Sequence, residues 1–144
     1  MARYTNKIDS KGRVFVPSKL RDSMGKSIVV TSSLDQGYLS VYTEERFAHI
    51  RQQFESLNSM DSKVRRVMRL IIGEALVCDL DSQGRVSVSS ELWEHIGTGP
   101  SEEISIIDLG DKLDICSKTF YEKKKEELSS VMELDLTEYN VTGL

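Results

Sequence analysis

DSKGRVFVPSKL, residues 9–20, reappears as DSQGRVSVSSEL at residues 81–92, with identity at eight of the twelve positions. The offset is 72 residues in a chain of 144, so the two copies divide the sequence into halves. In each copy a glycine, Gly12 or Gly84, supplies the positive φ that a tight turn needs. An aspartate, Asp9 or Asp81, stands ahead of it with a carboxylate suited to accept from amides two residues on. Beyond the turn, Val14 and Val16, or Val86 and Val88, alternate with other residues as a strand with one buried face does. Asp9 and Arg13 are four residues apart around the turn, as are Asp81 and Arg85, and each couple is placed to pair. An exposed pair contributes only about 0–1 kcal/mol. Its use is geometric: a loop clamp that closes the turn or fixes the direction of a guanidinium.

The likeness of the halves continues past the motif. β-branched runs at 28–31 and 104–107 are followed by Gly-containing turns and by strands at 39–42 and 113–115. Between motif and run lie SKLRDSMG and SSELWEHIG, one or two helical turns that start with Ser as N-cap and end in Gly. Each half then closes with longer helices. In TEERFAHIRQQFESL, Thr43 caps, Glu44 and Glu45 suit the positive end of the dipole, and Phe47, Ile50, Phe54 and Leu57 share a face. DSKVRRVMRLIIG buries Val64, Val67, Met68 and Ile71 and stops at Gly73; SKTFYEKKKEELSSVM closes the second half, its charges forming a solvated face. The expectation is an α+β chain of two ββαββ-like units: repeat 1 over 3–46, connecting helices over 47–73, repeat 2 over 74–117, and a C-terminal helix with a loose acidic tail over 118–144. A lone hairpin leaves strand edges and an apolar face uncovered, so the two copies are expected to pair with each other.

Composition sets the class. With 39% apolar and 29% charged residues, 2 Pro and 9 Gly, the sequence is that of an ordinary globular domain. It contains no membrane-span pattern and no signal-peptide pattern, which points to the cytosol. Cys78 and Cys116, 38 residues apart with no CxxC partner, are expected to be reduced core thiols. Catalysis is not expected: there is no GxSxG, no GxxxxGK, and His49 and His95 sit in helical patterns without a nucleophile or a ligand set. No cofactor or metal is implied.

Charge is split. Residues 1–72 carry 13 Lys and Arg against 7 Asp and Glu, a net +6, whereas residues 73–144 carry 6 against 16, a net −10. Within residues 1–26, Arg3, Lys7, Lys11, Arg13, Lys19, Arg21 and Lys26 face only Asp9 and Asp22. Such a run is either a solvated face or a phosphate-binding one; cations gathered on a protruding turn suit phosphates. Arg13 has the fork that pairs with guanine O6 and N7, with Lys11 and Arg3 next in rank as contacts. Arg65, Arg66 and Arg69, on a helix beside acidic neighbours, are expected to form pairs within the chain or between subunits rather than to contact a phosphate backbone.

The paired motifs, with RRVMRLIIGEALVCDLDSQGRVSV between and across them, resemble the MraZ family of bacterial transcriptional regulators over about residues 4–128. That resemblance implies tandem modules similar to the AbrB (SpoVT-like) swapped-hairpin β-barrel, several subunits closing into a ring, and a nucleoid-associated cytoplasmic protein. It implies sequence-specific binding of double-stranded DNA upstream of division and cell-wall genes, as a repressor or autoregulator, with the contacts in the two DxxxR loops. The expected DNA-binding residues are therefore Arg13, Lys11, Arg3, Lys7, Arg21 and Arg85, with Asp9 and Asp81 as loop clamps; no membrane partner is expected. Repeat 2 departs from the pattern by placing Ser89, Glu91 and Trp93 where repeat 1 has Pro17, Lys19 and Arg21. Trp93 is expected in the core or at a subunit contact. Rotation about a ring axis would aim like loops the same way along the duplex, so promoter direct repeats about one helical turn apart are the expected target. The contrasting reading is a non-catalytic oligomeric protein-interaction or RNA-binding module whose unlike-charged halves attract one another.

Overall fold

The computed structural model describes residues 2–128 and 136–143. Its first half runs β1 (Arg3–Lys7), β2 (Arg13–Phe15), α1 (Ser18–Met24), β3 (Ser27–Ser32) and β4 (Leu39–Thr43), and continues into α2 (Glu44–Glu55) and α3 (Ser62–Ile71). The second half repeats the order: β5 (Leu76–Asp79), β6 (Arg85–Ser87), α4 (Ser90–His95), β7 (Glu103–Asp108), β8 (Leu113–Ser117) and α5 (Lys118–Leu128). A 3-10 helix, Leu136–Tyr139, follows where no regular structure was expected. The expected last turn of the closing helix, 129–132, lies outside the described residues.

Among the described residues every strand pairing is antiparallel, and four of the six join the halves. Six strands form one sheet in the order β1-β7-β8-β4-β3-β5, while β2 and β6 pair with each other as a separate ribbon. Thus β1 pairs with β7, from Arg3 opposite Ile107 to Lys7 opposite Glu103, and β5 pairs with β3, from Ser27 opposite Asp79 to Val30 opposite Leu76. Among the described residues the strands form no closed barrel: β1 and β5 remain at the edges of the six-stranded sheet. The physical reason lies in β2 and β6, three residues each, which spend their ladder bonds on one another instead of extending the sheet. They cover one of its faces with side chains instead. Val14, Val16, Val86 and Val88 enter the same core as Ile28, Val30, Leu39, Val41, Ile104, Ile106, Leu113 and Ile115.

The opposite face of the sheet is covered by helices. Val29 packs with Phe47 of α2 and Ile71 of α3, and half-buried Phe54, Val67 and Leu70 extend that cluster. The apolar stripes are thus those the sequence spacing indicates, although Leu57 remains half exposed and Val64 and Met68 only half covered. Thr43 accepts from Arg46 N and caps α2; Asp61 accepts from Lys63 N and caps α3; Ser89 accepts from Leu92 N and caps α4. At α1 the expected serine cap is absent: Pro17 occupies the cap position, with no side-chain bond, and Ser18 is already helical. Proline fixes φ near the value a helix start requires, so the short helix begins without a hydroxyl. Cys78 and Cys116 are buried free thiols, and burial pushes each pKa up to about 11.

Candidate nucleic-acid interface

The motif turns are built alike, atom for atom. In the first, Asp9 Oδ1 accepts from Lys11 N at 2.9 Å and from Arg13 N at 2.8 Å, while Oδ2 accepts from Arg13 Nε at 2.8 Å. In the second, Asp81 Oδ1 accepts from Gln83 N at 2.9 Å and Arg85 N at 2.8 Å, and Oδ2 from Arg85 Nε at 2.8 Å. Gly12 and Gly84 take φ of 79° and 78°, a region that costs a glycine nothing. Bonds from the arginine amide lead the causes that hold both carboxylates below the ordinary aspartate pKa, so both are ionised at neutral pH. Each guanidinium is held through Nε, which leaves the terminal nitrogens to point elsewhere.

The ribbon brings the two turns onto one surface. Arg13 stands opposite Ser87 and Phe15 opposite Arg85, with Val14 and Val86 between them turned into the core. Side chains alternate along a strand, so Arg13, Phe15, Arg85 and Ser87 share the outer face. Arg85 Nη1 lies 4.0 Å from Asp9 Oδ2, which links the clamps across the ribbon. Lys11 is exposed at the first turn, where Gln83 holds the matching place in the second.

Strand exchange decides what flanks each turn. Arg21, on α1, does not stand over the turn of its own copy: its guanidinium packs against Gly84, where an added Cβ would overlap it, and its Nε donates to Val16 O at 2.9 Å. Trp93, 72 residues later and in the corresponding place on α4, packs against Gly12 and donates from Nε1 to Gly12 O at 2.9 Å. Each copy therefore braces the turn of the other. Beside the second turn, Arg21 of α1 and Lys26 just beyond it line a groove together with Asp22, Asp79 and Asp81, whereas α4 sets Glu94 beside Lys11 at the first.

The remaining basic residues are spread along β1. Lys7 is exposed and lies opposite Glu103, whose carboxylate also takes a 2.9 Å bond from Lys118 Nζ. Lys118 first, and Lys7 more weakly, hold Glu103 below its ordinary pKa. Arg3 lies four residues from Lys7, roughly 13 Å along the strand, and its guanidinium stacks over the Tyr121 ring at 4.6 Å. Arg65 donates to the carbonyls of Ser59 and Met60, not to a carboxylate. Arg66 and Arg69 line a cleft with Glu74, Glu91 and His95. Among the described residues no group of three or more His, Cys, Asp or Glu side chains is arranged to hold a metal ion, and no helix is long and apolar enough to cross a membrane.

Sequence reasoning passed over Phe15 and the bracing contacts of Arg21 and Trp93. The period-2 pattern does hold a signal for Phe15, since it falls between two buried valines and must face outward. The bracing pairs join residues 63 and 81 positions apart, Arg21 with Gly84 and Gly12 with Trp93, and leave no local trace.

Residues 1–70 match the family model described as "MraZ protein, putative antitoxin-like". A curated protein of Lachnoclostridium phytofermentans, "Transcriptional regulator MraZ", is 32% identical over 99% of this chain and 98% of its own length. Proteins of the same name from Heliobacterium modesticaldum and Caldanaerobacter subterraneus subsp. tengcongensis are each 32% identical, over 92% and 85% of this chain and 91% and 84% of their own lengths.

Proposed function

The chain belongs to the MraZ family, and from that premise we propose that it is a DNA-binding transcriptional regulator whose ribbon face, with both motif turns, meets the duplex. The single observation that carries this reading is the pair of Asp–Arg clamps, alike in their hydrogen bonds, held on one exposed two-stranded surface. An antiparallel ribbon is of a size to enter the major groove. Arg13, with terminal nitrogens left over after its Nε is tied to Asp9, reads a guanine edge; Arg85 does the same in the second turn; Lys11 meets phosphate. Lys7 and Arg3 extend a phosphate track along β1, and Arg21 acts by holding the second turn in shape while adding its charge behind Gly84. Asp9 and Asp81 never touch DNA: they aim the arginines.

The units over 3–46 and 74–117 exchange their first strands as the AbrB-like swapped-hairpin barrel does. Several subunits join head to tail into a ring of the non-catalytic protein, acting at the nucleoid as a repressor and autoregulator of division and cell-wall genes. Few phosphate contacts per subunit give weak, salt-sensitive attraction, and the ring multiplies it. Because a rotation relates the subunits, their ribbons meet the duplex in one direction, which favours direct repeats about one turn, roughly 10 base pairs, apart. The test is a set of labelled duplexes from the protein's own promoter region, with repeats in direct, inverted and half-turn-shifted arrangement. Direct repeats at full-turn spacing bind most tightly on this reading; equal binding of all three overturns it.

A further inference from the structure

We propose that Phe15 is a base-reading residue that packs on the 5-methyl group of thymine in the major groove; the inference rests on the DNA-binding reading above and adds a determinant to it. Phe15 is 46% exposed, yet it is no stray surface apolar group. It occupies one corner of the four-residue outer face of the ribbon, two residues from Arg13 on its own strand and directly across from Arg85. The Arg85 guanidinium lies over the ring, 5.8 Å from its centroid. The backbone beneath is pinned, since Asn6 Nδ2 donates to Phe15 O at 2.7 Å and Val16 N donates to Gly84 O at 2.9 Å. A large, flat apolar group thus stands, on a pinned backbone, next to two guanidinium groups that are each tied to an aspartate.

In the major groove each base pair offers a distinct edge: guanine offers the acceptor pair that suits arginine, and thymine offers a methyl group that suits an apolar side chain. A surface that places Arg, Phe and Arg side by side matches a site in which thymine lies near guanine. Arg13 and Phe15 are separated by two strand residues, roughly 7 Å, comparable to two base-pair steps of about 3.4 Å. The contacted thymine is therefore expected about two steps from the guanine that Arg13 reads. The matching position of the second copy is Ser87, which offers no apolar surface, so the methyl is read once per subunit and the two ends of the ribbon are made unlike. That inequality gives a ribbon with two similar arginine turns a sense of direction on the duplex.

The test uses the full chain and the promoter duplex synthesised enzymatically with either dTTP or dUTP, two DNAs that differ only in the methyl groups. Phe15→Ser is the variant, because serine already occupies the equivalent site at Ser87 and fits the ribbon. The unsubstituted protein is expected to bind the thymine duplex at least about fourfold more tightly than the uracil duplex, the worth of one buried methyl group. Phe15→Ser is expected to bind the two within twofold of each other and to match the unsubstituted protein on uracil DNA. Equal affinity of the unsubstituted protein for both duplexes overturns the inference while leaving DNA binding intact. An equal loss on both duplexes for Phe15→Ser also overturns it, assigning Phe15 to a prop for Arg85 or a wedge indifferent to methyls. Failure of the unsubstituted protein to bind either duplex removes the DNA-binding reading along with it.

Discussion

The two motif turns are nearly identical in their hydrogen bonds and unlike in everything around them. The first carries Lys11 and Phe15 and is braced by a buried tryptophan; the second carries Gln83 and Ser87 and is braced by an arginine. The shared part is backbone geometry and aim, the part that any guanidinium used as a reader needs. The variable part is charge and apolar surface, which decide what is read and how strongly. Strand exchange complicates the contrast. Helix α1 brings Arg21 and Asp22 beside the second turn and the acidic helix α4 brings Glu94 beside the first, so the charge next to each turn is set by the helix of the other copy.

The largest expected effect concerns the braces. Trp93 is 1% exposed and gives its indole N–H to Gly12 O, so Trp93→Ala opens a core cavity and is expected to cost about 3–5 kcal/mol of stability in chemical denaturation. Arg21→Ala removes one charged donor from Val16 O at a half-buried site and is expected to cost about 1 kcal/mol. Equal losses would mean that the braces are equivalent despite their chemistry.

Next in size is base reading. Arg13→Ala is expected to weaken binding to promoter DNA by about 1–3 kcal/mol more than binding to unrelated DNA. Arg85→Ala should act in the same direction by less, because Arg85 is the less exposed of the two and also faces Asp9. Equal losses on both DNAs for Arg13→Ala would remove it as a reader. A smaller effect distinguishes the turns by charge. Lys11→Gln should lower the slope of log affinity against log salt by roughly 0.9 for each subunit engaged, and Gln83→Lys should raise it similarly if both turns face the duplex. An unchanged slope for Gln83→Lys would confine phosphate contact to the first turn.

The smallest effect is on pH. Both clamp carboxylates have their pKa lowered in the folded protein, so their contribution is complete above the ordinary aspartate value of 3.8 and is lost as pH falls through the lower folded value. Carboxyl NMR titrations of Asp9 and Asp81 should therefore have midpoints below 3.8, with no change in either clamp between pH 5 and 8. A midpoint above 3.8 for only one of them would show that the two turns differ in their clamps as well as in their surroundings.

Much of this was legible in the chain. The duplicated Asp, Gly and Arg marked both turns, alternating valines marked the ribbon strands, and Leu92 and Ile96 around Trp93 marked it as buried. What could not be read was which half would cover which turn. Arg21 follows the first motif by one residue and acts on the second, because exchange of β1 and β5 turns the copies end to end. β1 itself, RYTNK, has no apolar alternation; it is a strand because its backbone completes the ladder of β7. The expected barrel did not close, since strands of three residues have too few ladder bonds to join both each other and the sheet edges.

The central claim, that the ribbon face meets the duplex, is tested most directly by titrating a labelled promoter duplex with the unsubstituted protein and with a Lys11→Ala/Arg13→Ala double variant at two salt concentrations. The double variant is expected to remain folded, to lose most promoter affinity and to show a shallower salt dependence. Retention of the full affinity and the full salt dependence by the double variant would contradict it.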